Sequence, residues 1–181
     1  MTELQVDGTT IELTVGDIAE QDGFDAVVNA ANAQLRVGGG VAGAIHRAAG
    51  PGLEKETRPL APIRPGEAVI TSGHRLPNPH VIHCLGPVYG RDEPSGELLA
   101  SCYREALRLA EENGLRTIAF PAISTGAFGY PLEPAARIAL GTVASEARKL
   151  KNVQRIRFVL YDEDALDVHG RVLETVAGEL A

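Results

Sequence analysis

Strand-like and helix-like segments alternate along the whole chain, and no other feature constrains its fold as strongly. Thr10–Val15 alternates polar and apolar side chains, as a strand with one wet face does, whereas Ala26-Val27-Val28 and Thr117–Phe120 are short apolar runs of the kind inner strands carry. Glu67–Thr71, Val81–Leu85 and Ile156–Leu160 read as further strands. Between them, after Ser95 as N-cap, Leu98, Leu99, Cys102, Ala106, Leu109 and Ala110 recur at helical intervals until Asn113-Gly114 ends the stripe. Ala135, Ile138, Ala139, Thr142, Val143, Ala147 and Leu150 mark a second helix, and a third is predicted from about Ala165 to Val176. This order predicts an α/β fold: a largely parallel sheet covered on both faces, with ligands gathered at the carboxyl ends of the strands. The proline-punctuated stretch Pro59–Gly66 is too short and apolar for a linker and reads as a surface connection, so residues 1–181 are predicted to be one domain.

Charge narrows the ligands. The chain carries 17 Lys and Arg against 24 Asp and Glu, a net charge of −7. Such an acidic balance argues against the broad basic face that general nucleic-acid binding requires. It leaves open one diphosphate held by backbone amides. Met1–Gln5 has no basic segment or apolar core of a signal peptide, and no apolar run could span a bilayer, so a cytoplasmic protein without membrane contact is expected. In that reducing setting Cys84 and Cys102 are expected to be buried free thiols. His80 and His83 fall on opposite faces of a strand, and Asp162-Glu163-Asp164 suits a helix start, so neither group predicts a metal, and no cofactor is expected.

The chemistry gathers in two loops. In the first, Val27-Val28-Asn29-Ala30-Ala31-Asn32 leads through a polar turn to Gly38-Gly39-Gly40 and then to a helix starting near Val41. Three glycines let a backbone approach a ligand closely, and a helix start offers free amides and a positive dipole end, which suits a phosphate. Asn29 and Asn32 offer uncharged donors and acceptors for ribose hydroxyls; alternatively they only shape the turn. Gly38, Gly40 and Gly43 satisfy G-x-G-x-x-G, but seven residues separate Ala30 from Gly38 and no acidic residue ends a strand 20 residues on, so a nicotinamide-dinucleotide fold is disfavoured. The second loop, Pro121-Ala122-Ile123-Ser124-Thr125-Gly126-Ala127-Phe128-Gly129, has small residues whose successive amides can form an anion nest. Phe128 is read first as an exposed ring stacking on a sugar, with anchorage to the core as the alternative. Ser124 lacks the first glycine of a nucleophile elbow.

Asn29-Ala30-Ala31-Asn32, the run Gly38 to Gly50, and Ile123-Ser124-Thr125-Gly126-Ala127-Phe128-Gly129 together resemble the macro domain family over essentially the whole chain. The resemblance implies a three-layer αβα fold with a mixed, largely parallel sheet, and ADP-ribose bound in a cleft above it. It implies an ADP-ribosyl hydrolase acting on mono-ADP-ribosylated acidic side chains, on O-acetyl-ADP-ribose, or on both. A non-catalytic reader of ADP-ribose is the alternative. The partners implied are ADP-ribose and ADP-ribosylated proteins or metabolites. Asp17 and Ile18 resemble the family's adenine-recognition turn, although an aspartate after a strand also forms turns unaided. Tyr161 resembles the aromatic that packs on adenine, with a core ring as the alternative. The implied binding set is completed by Asn29, Asn32, Gly39, Gly40, Val41, Ala42 and Ser124 to Phe128.

Some relatives similar in the helix after the triple glycine carry an aspartate where this chain has Ala42, and that aspartate is commonly assigned to water. Other active members, viral ones included, share the alanine. The expected catalytic set is therefore Asn29, Asn32, Gly40, His46 and Phe128, working on a water oriented by the substrate's own diphosphate. His46, four residues after Ala42, is either a proton relay or a packed helix histidine.

Overall fold

The computed structural model describes all 181 residues. Seven strands form one sheet in the order β1-β2-β7-β6-β3-β5-β4. They are β1 (Glu3–Val6), β2 (Thr9–Val15), β3 (Ala26–Ala30), β4 (Ala68–Ser72), β5 (His80–Cys84), β6 (Thr117–Phe120) and β7 (Arg155–Leu160). The inner five, from β2 to β5, pair in parallel, and each edge strand is antiparallel to its neighbour. The sheet is thus mixed and mostly parallel, as expected.

Strand alternation sorts side chains between two layers. Ala26 and Val28 of β3, Ile82 and Cys84 of β5, Ile118 and Phe120 of β6, and Ile156, Phe158 and Leu160 of β7 share one buried cluster. That cluster is sealed by three helices, α3 (Ser95–Glu112), α4 (Leu132–Ala147) and α5 (Glu163–Leu180). The alternate residues Val27, Val81, Ala119 and Val159 pack on the opposite side against Ile45 and Ala49 of α1 (Gly40–Ala49) and Leu53 of α2 (Gly52–Thr57). A third, small cluster of Ala31, Leu35, Ile63 and Leu85 lies under the loop that follows β3.

Three expectations need correction. Ser95 is the first residue of α3 and not its cap: Pro94 holds the cap position without a side-chain bond, and the Ser95 amide donates to the Glu93 carboxylate at 3.1 Å. The connection Pro59–Gly66 is not wholly on the surface. Its start belongs to a short 3₁₀ turn, Arg58–Leu60, and Ile63 is buried with its amide donating to Ala33 O at 2.9 Å, because the third cluster needs an aliphatic plug there. The last helix begins two residues before Ala165 and ends four past Val176. Cys84 and Cys102 are free and buried, and burial drives the Cys102 thiol up to about 12. No helix is long and apolar enough to cross a membrane.

Candidate functional site

After β3 the chain passes to α1 on one face of the sheet, and after the adjacent β6 it passes to α4 on the other. Neighbouring strands whose connections diverge this way leave a crevice outside their carboxyl ends. A cleft of about 780 Å³ opens there. One wall is the start of α1, with Gly40, Val41 and Ala44. The opposite wall is the loop after β6, with Pro121, Ala122, Thr125 and Gly126. Gly16, Asp17 and Ile18 after β2, and Tyr161 and Asp162 after β7, close one end. The volume lies in the range of small-molecule and cofactor sites.

The helix starts around the cleft differ in charge. At α5 the Asp162 carboxylate caps the helix, accepting from the Ala165 amide at 2.8 Å, and Glu163 and Asp164 follow in the first turn. At α1 the cap residue is Gly39, no side chain caps the helix, and no acidic residue stands in the first turn. Its amides and positive dipole end are therefore free to meet an anion. Two glycines make this geometry attainable. Gly40 has φ +54°, which residues that carry a side chain rarely adopt. A Cβ on Gly43 would stand 2.5 Å from Gly38 O, so only glycine lets the triple-glycine turn lie flat on the helix.

The loop after β6 is held by hydrogen bonds within itself and to the loop after β5. Ser124 is buried at φ +67°, its hydroxyl donates to Pro87 O at 2.9 Å, and its carbonyl accepts from the Tyr130 amide at 2.9 Å. The Thr125 hydroxyl donates to Ala122 O at 2.8 Å, and the Gly129 amide to Gly126 O at 3.0 Å. Ser124 thus anchors the loop and has no base beside it, while Gly126 and Ala127 remain exposed. Phe128 is half-buried: it packs against the cluster of Leu35, Ile63 and Leu85, and part of its surface stays accessible. The anchoring role accounts for the buried part.

The other expected residues divide. Asp17 is exposed on the cleft, with one carboxylate oxygen accepting from the Ala19 amide at 2.9 Å, so it also shapes its own turn; Ile18 is buried beside it. Tyr161 is no core ring: it is 92% exposed on the rim. Asn32 closes its turn in both directions, its Nδ2 donating to Arg36 O at 2.9 Å and its Oδ1 accepting from the Arg36 amide at 3.0 Å. Asn29 is fully buried on the α1 face, where its Nδ2 meets His83 Nδ1 at 3.0 Å. The side chains of Ala42 and His46 sit on the inward side of α1, away from the cleft, while the Ala42 amide belongs to the uncapped first turn. Burial lowers the His46 pKa, and neither ring nitrogen has a partner within the protein. That is the packed-histidine alternative, and the small side chains of α1 give the sequence little with which to predict which way the helix is turned.

Sequence reading missed the apolar lining of the cleft from Ala44, Leu132, Val159, Leu160 and Ala165, and the histidine behind Asn29. Position two residues after Val81 on an inner strand was the available signal for His83, because a polar residue there must find a buried partner.

A three-layer αβα module with a cleft between the start of α1 and the small-residue loop after β6 defines the class of fold. The Macro domain family matches residues 28–139. The macro domain-containing protein CT2219 of Chlorobaculum tepidum is 51% identical over 82% of this chain and 87% of its own length. The O-acetyl-ADP-ribose deacetylase of Klebsiella pneumoniae is 45% identical over 90% of this chain and 95% of its own. The solved Oceanobacillus iheyensis macrodomain with ADP superposes with a TM-score of 0.93 at 39% identity, covering 98% of this chain and 97% of that one. The chain belongs to the macro domain family.

Proposed function

We propose that the protein binds ADP-ribose in this cleft and hydrolyses ADP-ribosyl linkages, on acidic side chains of mono-ADP-ribosylated proteins, in O-acetyl-ADP-ribose, or on both. One observation carries the reading: two backbone cradles face each other across one cleft, and the helix start that forms one of them has been left without carboxylates. That arrangement suits a diphosphate held from both sides. The names of the Klebsiella pneumoniae and Oceanobacillus iheyensis relatives support the nucleotide and the hydrolase class.

In this reading Asp17 and Ile18 take the adenine, with Tyr161 packing on it. Gly39 to Ala42 and Ser124 to Ala127 take the phosphates, mainly through amides. The distal ribose lies towards Asn29, Asn32 and Phe128. The phosphate region of the cleft holds no side-chain base, since Ala42 is an alanine and His46 is buried with a depressed pKa. Water is then oriented by the substrate's own diphosphate beside Gly40. Orientation alone lowers a barrier by several kcal/mol, whereas a positioned base adds about 10²–10⁴-fold, so turnover should be slow.

The missing base equally favours a second reading, a module that binds ADP-ribose without cleaving it. A single-turnover assay over a panel of linkage-defined ADP-ribosyl substrates separates the two by released product. Asn32→Ala is expected to reduce release while ADP-ribose binding survives; unchanged release removes Asn32 from the mechanism.

A further inference from the structure

The cleft leaves unexplained a line of polar side chains running through the sheet behind it. Asn29 on β3 stands opposite His83 on the parallel β5, and Thr71 on the antiparallel β4 lies diagonal to His83. All three are buried. The Asn29 amide nitrogen is 3.0 Å from His83 Nδ1, and His83 Nε2 is 3.0 Å from the Thr71 hydroxyl. The Thr71 hydroxyl donates onward to Ser72 O at 3.1 Å.

Donor and acceptor chemistry fixes the direction of this line. Burial pulls the His83 pKa down to about 3, so its ring is neutral and carries one N–H. The Asn29 NH₂ can only donate, so Nδ1 accepts and the proton sits on Nε2. Nε2–H donates to Thr71, whose own proton is committed to Ser72 O. Reversing the ring tautomer would require Thr71 to donate to Nε2 and abandon that carbonyl. The amide of Asn29 is therefore held with its nitrogen turned inward to His83. Its Oδ1 is the free end, buried and without a partner in the protein.

We propose that Thr71 and His83 are positioning residues that act in sequence to turn the Asn29 amide, so that its carbonyl oxygen and not its NH₂ meets a ribose hydroxyl of the bound nucleotide. The ligand in this inference rests on the function proposed above. An acceptor at that point welcomes a hydroxyl and repels a phosphate oxygen, which helps to keep the diphosphate on the backbone cradles.

Long-range ¹H–¹⁵N correlation spectra of the histidine rings in the full chain test the direction of the line. The expected result at pH 7 is a neutral His83 with the proton on Nε2; a proton on Nδ1 overturns the proposal. Thr71→Val removes the hydroxyl at similar volume and is expected to lower kcat on O-acetyl-ADP-ribose about tenfold with KM nearly unchanged. Thr71→Ser should restore turnover to within about twofold of the original. In an Asn29→Ala background Thr71→Val should have no further effect; effects that multiply instead overturn the proposal, because general structural damage acts in both backgrounds. If Thr71→Val does not fold, His83→Leu, which removes the acceptor that holds the Asn29 nitrogen, gives the same comparison. Should the unmutated protein release no product from any ADP-ribosyl substrate, the hydrolase function falls. The ring tautomer, and the shift of the Asn29 side-chain amide on adding ADP-ribose, which Thr71→Val should abolish, still decide the positioning role.

Discussion

The two faces of the sheet are made by the same strands and differ in nearly everything else. The face under α3, α4 and α5 holds a cluster of 33 buried residues, in which the rings of Tyr103, Phe120 and Phe158 meet with centroids 5.1 to 5.9 Å apart. The face under α1 and α2 holds a cluster of 10, and interleaves Asn29, Thr71, His83 and Arg157 among its aliphatic side chains. Hydrophobic stabilisation scales with apolar area removed from water, so the thick face supplies most of it. The thin face can then carry buried polar groups, of which Asn29, His83 and Thr71 are partnered across strands. A period of two lets one strand serve both: in β3, Val28 points into the thick layer while Asn29 points towards α1.

The sharpest way to break this division is to damage the thick face alone. Phe158 is fully buried between Tyr103 and Phe120. Phe158→Ala is expected to lower the free energy of unfolding by about 3–5 kcal/mol in urea titrations. ADP-ribose affinity of the protein that remains folded should stay within about twofold, measured by calorimetry at low temperature. An affinity loss matching the stability loss would mean that the faces are not separable.

Acid should attack the thin face next. His83 has its pKa depressed from the ordinary 6.5 to about 3 by burial, with His46 nearby adding to the effect. Between those pH values the unfolded chain takes up a proton that the folded chain refuses. Stability is therefore full above about pH 6.5 and falls as the solution is acidified through it. From pH 7 to pH 5 the loss from His83 is about 2 kcal/mol, read as a change in the urea midpoint. Burial lowers His46 and His169 as well, so the total slope is steeper. His83→Asn should flatten it, and an unchanged slope would assign the acid sensitivity elsewhere.

What could be read from the sequence follows the range of each interaction. The triple glycine, the start of α1 and the small-residue loop after β6 are local devices, legible in consecutive residues, and all three line or support the cleft. Six strands, the five inner ones and the edge strand Ala68–Ser72, were legible because each is a short apolar or alternating run. The edge strand Glu3–Val6 and the six-residue α2 were not, since neither is long enough to show a period. The link between Asn29 and His83 spans 54 residues and depends on the register of two parallel strands. No local pattern encodes that register. The same holds for Ser124, whose hydroxyl is committed to Pro87 O in a separate loop. Which residues of α1 face the cleft depends on how the helix is turned, and its mostly small side chains leave that to tertiary packing.

The mildest substitution for the fold gives the complementary test, because it removes an exposed ring and nothing else. Tyr161 stands 92% exposed at the end of the cleft that Asp17 and Ile18 share. Tyr161→Ala should leave the unfolding free energy within about 0.5 kcal/mol of the original, since no packed neighbour is lost. If the ring stacks on adenine, the same change should weaken ADP-ribose binding roughly fivefold to tenfold in calorimetry, or about 1 kcal/mol of stacking. Tyr161→Phe keeps the ring and should keep the affinity. Equal affinity for the alanine variant would remove Tyr161 from the adenine site. The phosphate cradles would remain in place, and Asp17 and Ile18 would then hold the base without the ring.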